Sequence, residues 1–253
     1  MIEHIRILLE RGQLELTGSA KYHPFLPKLP ESQIIRQIQL NTETNKKYFG
    51  EAYQPKGFFP PEMGYDSAVG KIVQQLGYTW IILDELACPT TLDHTKTYLD
   101  ATGMMYFFRE RDASFKILSA QLGTAQSVLR EFGGRLDKNE YVLTAMDAET
   151  FGHHRLGLEQ LLLDIYHAPQ IPTVCISDLI GLFPNTLERE PQPSTWALMP
   201  KDVLKNIPFS RWDDPANPIH KKQWELTHLA LKLVDREGPQ EHALVDRALY
   251  SDQ

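Results

Sequence analysis

The stretch Tyr141–His154, YVLTAMDAETFGHH, starts with an apolar run and ends in acidic and histidine side chains. Such a run is typical of a strand that is buried on both faces of a parallel sheet or a barrel. Because the carboxyl ends of these strands carry the chemistry of such folds, Asp147 is a candidate catalytic carboxylate. An acidic residue after a strand is also common as the N-cap of the next helix, so the stretch alone leaves both interpretations open.

The composition indicates a globular protein and argues against several classes of function. The chain has 253 residues, 42% hydrophobic and 23% charged, which suffices to bury the core of one large domain. A net charge of -7 argues against nucleic-acid binding, which relies on basic patches, and favours an uncharged or polar substrate. Cys88 and Cys175 have no metal-like spacing, and no apolar run approaches the length of a membrane span. We therefore expect a cytoplasmic protein that needs no cofactor, nucleic-acid partner or membrane.

Short apolar runs alternate with amphipathic helical segments along the chain. Helices are predicted at residues 2–11, 32–48, 67–76, 158–165, 217–234 and 242–253. Strands are predicted at about 14–17, 57–61, 78–83, 104–108, 141–146 and 172–177, and several of them end in charged residues. This alternation is the signature of a β/α barrel or a doubly wound sheet.

The same pattern predicts three parts. Residues 1–183 form a (β/α) barrel, 184–216 a long proline-rich connection that contains PQPSTWA, and 217–253 the start of a C-terminal helical subdomain. Six strands are fewer than a closed eight-stranded barrel uses, and the chain opens and closes on a helix. We therefore expect an α/β barrel that is incomplete at its N-terminus.

Two carboxylates at different strand ends suit the hydrolysis of a glycosidic bond. Glu62 ends one predicted strand and Asp147 ends another. In such a pair, one group attacks or stabilises the sugar while the other protonates the leaving oxygen. Aromatic side chains near these ends offer flat apolar platforms for sugar rings, although each is also a typical core residue. The aromatic residues are Tyr22, Phe59, Tyr65, Trp80 and Trp196.

A metal site is an alternative use of the same region. Asp147, Glu149, His153, His154 and His23 carry oxygen and nitrogen ligands, and metal-dependent polysaccharide deacetylases use barrels of related shape. However, the two adjacent histidines do not share a helical face, as ligands spaced three or four residues apart would. We therefore predict a site without a metal.

Four motifs give the chain a specific resemblance. They are GQLELTGSAKYHP, GFFPPEMGYD, AMDAETFGHH and PSTWA, and WDDPANPIHKKQWELTH follows them. With these motifs the chain resembles the catalytic domain of glycoside hydrolase family 57, which includes α-amylases, 4-α-glucanotransferases, α-glucan branching enzymes and amylopullulanases. The family's first conserved region, a histidine-containing motif on the first strand, has no counterpart, and PPE replaces the commoner WLPE form.

The resemblance implies a fold, a substrate and roles for individual residues. The implied fold is an incomplete (β/α)7 barrel that lacks its first strand or strands and is followed by helices. The implied activity is a retaining hydrolase or transglycosylase of α-glucans, with Glu62 as the nucleophile and Asp147 as the general acid/base. A noncatalytic carbohydrate-binding homologue remains the alternative. The implied substrate-binding residues are His23, Tyr22, Asp84, Glu149, His154 and Trp196.

Overall fold

The structure is a computed structural model that describes residues 1–234 and 238–251. The strands are β1 Gly57–Phe58, β2 Trp80–Asp84, β3 Thr97–Leu99, β4 Met105–Arg109 and β5 Thr186–Glu188. The α-helices are α1 Ile2–Glu10, α2 Glu31–Phe49, α3 Ser67–Gln75, α4 Arg111–Leu118, α5 Ala125–Leu136, α6 Glu159–His167, α7 Leu179–Leu182, α8 Pro200–Leu204, α9 Pro218–Val234 and α10 Pro239–Ala248.

The five strands form one sheet in the order β1-β2-β4-β3-β5. Strands β1, β2 and β4 are parallel neighbours, whereas β3 is antiparallel to β4 and parallel to β5. The register pairs Asp84 with Arg109, so a carboxylate and a guanidinium stand together at the carboxyl ends of β2 and β4. The predicted α/β class is confirmed, with a mostly parallel sheet. That the first barrel strands are missing stays a prediction.

Both faces of the central strands are covered, which explains their unbroken apolar sequence. On one face, Ile81 and Leu83 of β2 belong to a core that includes side chains of α2 and α3. On the other face, Trp80 and Ile82 pack in a second core with Phe107 of β4 and with side chains of the stretch 141–145. The alternation of β2 between the two cores fixes the direction in which its carboxyl end presents Asp84.

The predicted helices are confirmed at their approximate positions. For example, α3 begins after Asp66, whose carboxylate accepts a hydrogen bond from Val69 N at 2.9 Å, as an N-cap does. Helix α10 overlaps the last predicted helix, of which residues 252–253 lie outside the described residues. Within the described part of the chain, we find no helix with both the length and the hydropathy to cross a membrane.

The predicted strand at 141–146 is wrong, and its backbone hydrogen bonds explain why. The segment is extended, but side chains form hydrogen bonds with backbone N–H and C=O groups that a neighbouring strand would otherwise bind. Arg135 Nη2 donates to Tyr141 O at 2.8 Å, and Arg109 Nη1 donates to Ala145 O at 3.0 Å. Ala145 N donates in turn to Ser114 Oγ at 3.2 Å. The apolar run therefore packs on the sheet and makes a backbone hydrogen bond beside it, from Glu110 N to Leu143 O at 2.8 Å, but forms no strand ladder.

The strands predicted at 14–17 and 172–177 are also absent. The first segment leads to a single parallel bridge between Gly18 and Phe58. The end of the second segment bonds to a side chain of the first, because Ser177 N donates to Glu15 Oε2 at 3.0 Å. Strands β3 and β5 were not predicted. The connection expected at 184–216 thus contains both β5 and α8.

Gly57→Ala is expected to destabilise the sheet, because a Cβ at Gly57 would lie 2.1 Å from the ring of the fully buried Trp80. Overpacking of this kind costs about 1–3 kcal/mol, measurable as a lower free energy of unfolding in urea. Gly133→Ala in α5 is the matched control, since nothing lies within 4 Å of its added Cβ. This control should gain about 0.5–1 kcal/mol. Equal effects of the two substitutions would contradict the steric explanation.

Candidate active site

Glu62 lies after β1 in a strained turn that begins with Pro60 and Pro61. Its backbone is left-handed, with φ 59 and ψ 13 degrees, and Met63 follows with φ 47 degrees. Non-glycine residues in this region cost about 1–3 kcal/mol each and concentrate at functional sites. Hydrogen bonds from Met63 N to Pro60 O (2.8 Å) and from Gly64 N to Pro61 O (2.9 Å) hold the turn. The turn held in this way carries Glu62, a residue that is only 7% exposed.

The PSTWA segment pairs with this turn. Tyr65 and Ser194 exchange backbone hydrogen bonds of 2.9 and 3.0 Å, and Trp196 N donates to Glu62 O at 3.0 Å. The indole Nε1 of Trp196 also donates to Glu62 Oε2 at 2.7 Å. Two motifs that are more than a hundred residues apart in the sequence thus build one site.

His23 approaches the same carboxylate from the GQLELTGSAKYHP motif. Its Nδ1 lies 3.5 Å from Glu62 Oε1 and 2.9 Å from Ser251 Oγ, and its backbone is left-handed at φ 52 degrees. The hydroxyl of Ser251 donates to Glu62 Oε1 at 2.9 Å. Tyr22, the neighbour of His23, instead places its ring beside Lys21 Nζ, 5.4 Å from the ring centre. Sequence reasoning missed Ser251, which lies in a stretch predicted only as helix.

Asp84 is linked to Trp196 through two arginine side chains. It is fully buried, and its Oδ2 accepts hydrogen bonds from Arg109 Nε at 3.0 Å and from Arg111 Nη1 at 2.9 Å. Both guanidinium groups also donate to Trp196 O, at 3.3 and 3.1 Å. Burial lowers the pKa of Arg109, and the Asp84 charge opposes that effect. Because Asp84 has no exposed surface, the expected contact with substrate does not fit its placement.

Asp147, Glu149 and His154 lie together on an exposed turn. All three residues are exposed, and the turn closes through hydrogen bonds from Thr150 N to Asp147 O (3.0 Å) and from His154 N to Glu149 O (2.7 Å). The Asp147 side chain makes no N-cap hydrogen bond. The alternative interpretation of Asp147 as a helix cap therefore finds no support in its contacts.

One arginine links the turn of Asp147 to the site of Glu62. Arg109 donates through Nη1 to Ala145 O, two residues before Asp147, and through Nη2 to Trp196 O. The same guanidinium carbon lies 5.5 Å from the centre of the Trp196 ring. Because Trp196 holds Glu62, a single side chain contacts both the segment that leads to Asp147 and the residue that holds Glu62.

The residues proposed as metal ligands do not assemble. The rings of His153 and His154 lie side by side on the exposed turn, with centroids 5.3 Å apart. Within residues 1–234 and 238–251, no three His, Cys, Asp or Glu side chains are grouped as metal ligands would be. His23 faces Glu62 and Ser251 instead.

An open cavity of about 830 Å³ adjoins the Glu62 carboxylate. Its size lies within the range of small-molecule sites, and much of its wall is aromatic. Of the predicted site residues, Glu62 and Trp196 line it, His23 joins them through Ser251, and the others lie outside its wall. The aromatic side chains of the wall are Phe25, Phe115, Trp196, Trp212, Trp224 and Tyr250, and Arg111 and Ser251 also contribute to it.

Known proteins that are similar to this chain include an amylase, a branching enzyme and a glucanotransferase. Alpha-amylase 1 of Dictyoglomus thermophilum is 28% identical over 83 residues, which are 33% of this chain and 12% of the amylase. The crystal structure of a branching enzyme of the family-57 type from Pyrococcus horikoshii matches at 18% identity with a TM-score of 0.69, covering 90% of this chain and 55% of that enzyme. The 4-alpha-glucanotransferase from Thermococcus litoralis matches at 18% identity with a TM-score of 0.62, covering 96% of this chain and 36% of that enzyme.

The two structural matches show a shared fold, and the matched region is 55% or less of each relative's length. The family itself is identified by sequence. The pattern of glycosyl hydrolase family 57 matches residues 1–161, which is more than half of the chain. The chain therefore belongs to glycosyl hydrolase family 57.

Proposed function

We propose that the chain is a retaining hydrolase or transglycosylase of α-glucans, with Glu62 as the nucleophile and Asp147 as the general acid/base. The observation that carries the proposal is the Glu62 carboxylate, which stands at the wall of an aromatic cavity with a donor on each oxygen. The similar proteins support the substrate class, because they are an amylase, a branching enzyme and a 4-α-glucanotransferase.

The proposed reaction is a double displacement. An oxygen of Glu62 attacks the anomeric carbon and forms a glycosyl ester, while the bond to the leaving oxygen breaks and Asp147 gives that oxygen a proton. Water or a sugar hydroxyl then attacks the anomeric carbon and gives its proton to Asp147, while the bond from that carbon to the Glu62 oxygen breaks and releases the carboxylate. Retention requires the two carboxyl groups to stand about 5–5.5 Å apart when substrate is bound. The link through Arg109 supports the pairing of the two segments.

Incubation of the chain with maltooligosaccharides tests the proposal. We expect shorter or longer oligosaccharides, with products that keep the α configuration by NMR, because two inversions restore the starting geometry. Products of the β configuration would overturn the retaining mechanism. The absence of any turnover across several chain lengths and linkages would overturn the enzymatic function.

Asp147→Asn is expected to lower kcat on maltooligosaccharides by about 10²–10⁴-fold, because the variant cannot protonate the leaving oxygen. Azide should restore turnover of an activated aryl α-glucoside and yield the α-glucosyl azide. Asp112→Asn, a change on an exposed side chain of α4, is the control and should keep full activity. An unchanged kcat in Asp147→Asn would remove Asp147 from the proposed mechanism.

Trp196→Phe is expected to lower kcat by about 10–100-fold, because the phenyl ring keeps an aromatic side chain at this position but lacks the Nε1–H donor to Glu62 Oε2. Tyr166→Phe in α6 is the control, because it removes a polar group from another aromatic ring on a residue that is 70% exposed. It should leave kcat and KM unchanged. Steady-state kinetics on one maltooligosaccharide compares the two variants. A loss confined to KM would indicate that Trp196 contacts sugar without orienting Glu62.

A noncatalytic α-glucan-binding protein is the second candidate. It is favoured by the exposure of Asp147, which lies outside the wall of the cavity beside Glu62. Calorimetric titration with maltooligosaccharides, run beside the turnover assay, separates the two functions. Binding without turnover supports this second candidate, whereas turnover that depends on Asp147 rules it out.

A further inference from the structure

Ser251 reaches the Glu62 carboxylate from the end of the described chain. Its backbone is fixed first, because Ser251 N donates to His23 O and Trp212 Nε1 donates to Ser251 O, each at 3.0 Å. The neighbouring Tyr250 forms an antiparallel bridge with Pro24. These contacts use only backbone atoms of Ser251. They position its hydroxyl, which can therefore donate a hydrogen bond to Glu62.

The hydroxyl contacts two groups, and its single hydrogen decides the direction of both hydrogen bonds. Ser251 Oγ lies 2.9 Å from Glu62 Oε1 and 2.9 Å from His23 Nδ1. An ionised carboxylate only accepts hydrogen bonds, so the serine hydrogen points to Glu62. His23 Nδ1 must then donate to Ser251 Oγ. In the neutral imidazole the hydrogen consequently sits on Nδ1, and Nε2 is the acceptor.

We propose that Ser251 is a positioning residue for Glu62 and that His23, as its Nδ1–H tautomer, orients the serine hydroxyl. The proposal rests on the function proposed for Glu62 and adds a residue from the C-terminal segment to the nucleophile's support. Trp196 holds only Oε2. The last torsion of a glutamate is broad, so a carboxylate held at one oxygen can turn out of the plane needed for attack. The second anchor at Oε1 fixes that plane.

The tautomer of His23 tests the proposal without any turnover. In a 15N-labelled sample, at a pH where the imidazole is neutral, the ring nitrogen shifts should identify Nδ1 as the protonated nitrogen. The Nε2–H tautomer would overturn the proposal, because Ser251 would then donate to His23 and leave Glu62 Oε1 without its hydrogen. The tautomer of His23 tests the role of Ser251 even if the chain turns over no α-glucan. A lack of turnover would count against the proposed function and not against the hydrogen bonds of Ser251.

Ser251→Ala supplies the kinetic test. Both backbone contacts survive this change, so we expect an unchanged Tm, a kcat about ten-fold lower on maltooligosaccharides and a KM within about two-fold. Ser251→Thr, which restores a hydroxyl, should recover most of the kcat. Ser119→Ala removes an exposed hydroxyl after α4 and is the control. An unchanged kcat in Ser251→Ala overturns the proposal, as does a loss that appears only in KM.

Discussion

Glu62→Gln is expected to lower the turnover of maltooligosaccharides by on the order of 10⁴-fold or more, because an amide cannot form the glycosyl ester. The fold should survive, since the new side chain has the same shape and its amide oxygen can still accept from Trp196 Nε1. The measurement is kcat on one maltooligosaccharide, together with the Tm of both proteins. Loss of activity with an unchanged Tm assigns the effect to chemistry.

Azide sharpens the test of Glu62. In Glu62→Ala, which leaves space where the carboxylate stood, azide can attack an activated α-glucoside and should yield the β-glucosyl azide, the opposite configuration to that expected from Asp147→Asn. Glu3→Gln, on an exposed side chain of α1, is the matched control and should keep full activity. Full activity in Glu62→Gln would remove the nucleophile from the mechanism and leave the cavity as a binding site.

Helices α1, α2, α3, α6, α9 and α10 were predicted because their signals are local, whereas α4, α5, α7 and α8 were not predicted. The cap of α3 at Asp66 and the proline that starts α9 at Pro218 lie within one turn of the helix ends that they determine. The strand prediction at 141–146 was wrong because strand pairing is not a local property. Its apolar pattern predicts burial, which the structure confirms for Tyr141, but pairing depends on groups supplied by distant residues such as Arg109. Strands β3 and β5, with the sequences TYL and TLE, lack the long apolar run that marks β2, so no pattern indicates them.

The site residues that were predicted also depend on local signals, and those that were missed depend on the tertiary structure. Glu62, Trp196 and His23 were predicted from motifs, and the structure brings these three together. No motif contains Ser251, because its contribution depends on where the C-terminal segment returns along the fold. The resemblance implied that Asp84 contacts substrate, and the strand predicted at 78–83 does lead to it, but the sequence could not show that two arginines enclose its carboxylate. Position along a strand is local information, whereas access to solvent depends on the tertiary structure.

Asp84→Ala is expected to destabilise the chain by about 3–5 kcal/mol, because it leaves the buried Arg109 and Arg111 without their shared carboxylate. Their side chains are only 5% and 9% exposed, so water cannot replace the lost partner. The loss is a large fraction of the roughly 5–15 kcal/mol that stabilises a typical domain. Urea denaturation measures it directly. Asp112→Ala removes a surface partner of Lys116 that is 76% exposed, and should change the free energy of unfolding far less than Asp84→Ala does.

Asp84→Asn separates the charge of Asp84 from its hydrogen bonds. The amide oxygen can still accept from Arg109 Nε, so the loss of stability should be smaller than in Asp84→Ala, while the two guanidinium charges remain uncompensated. Because both arginines also hold Trp196 O, we expect activity to fall in both variants even where the protein stays folded. A variant of Asp84 with wild-type stability would show that the arginines find other partners. The proposed support of Trp196 by Asp84 would then be wrong.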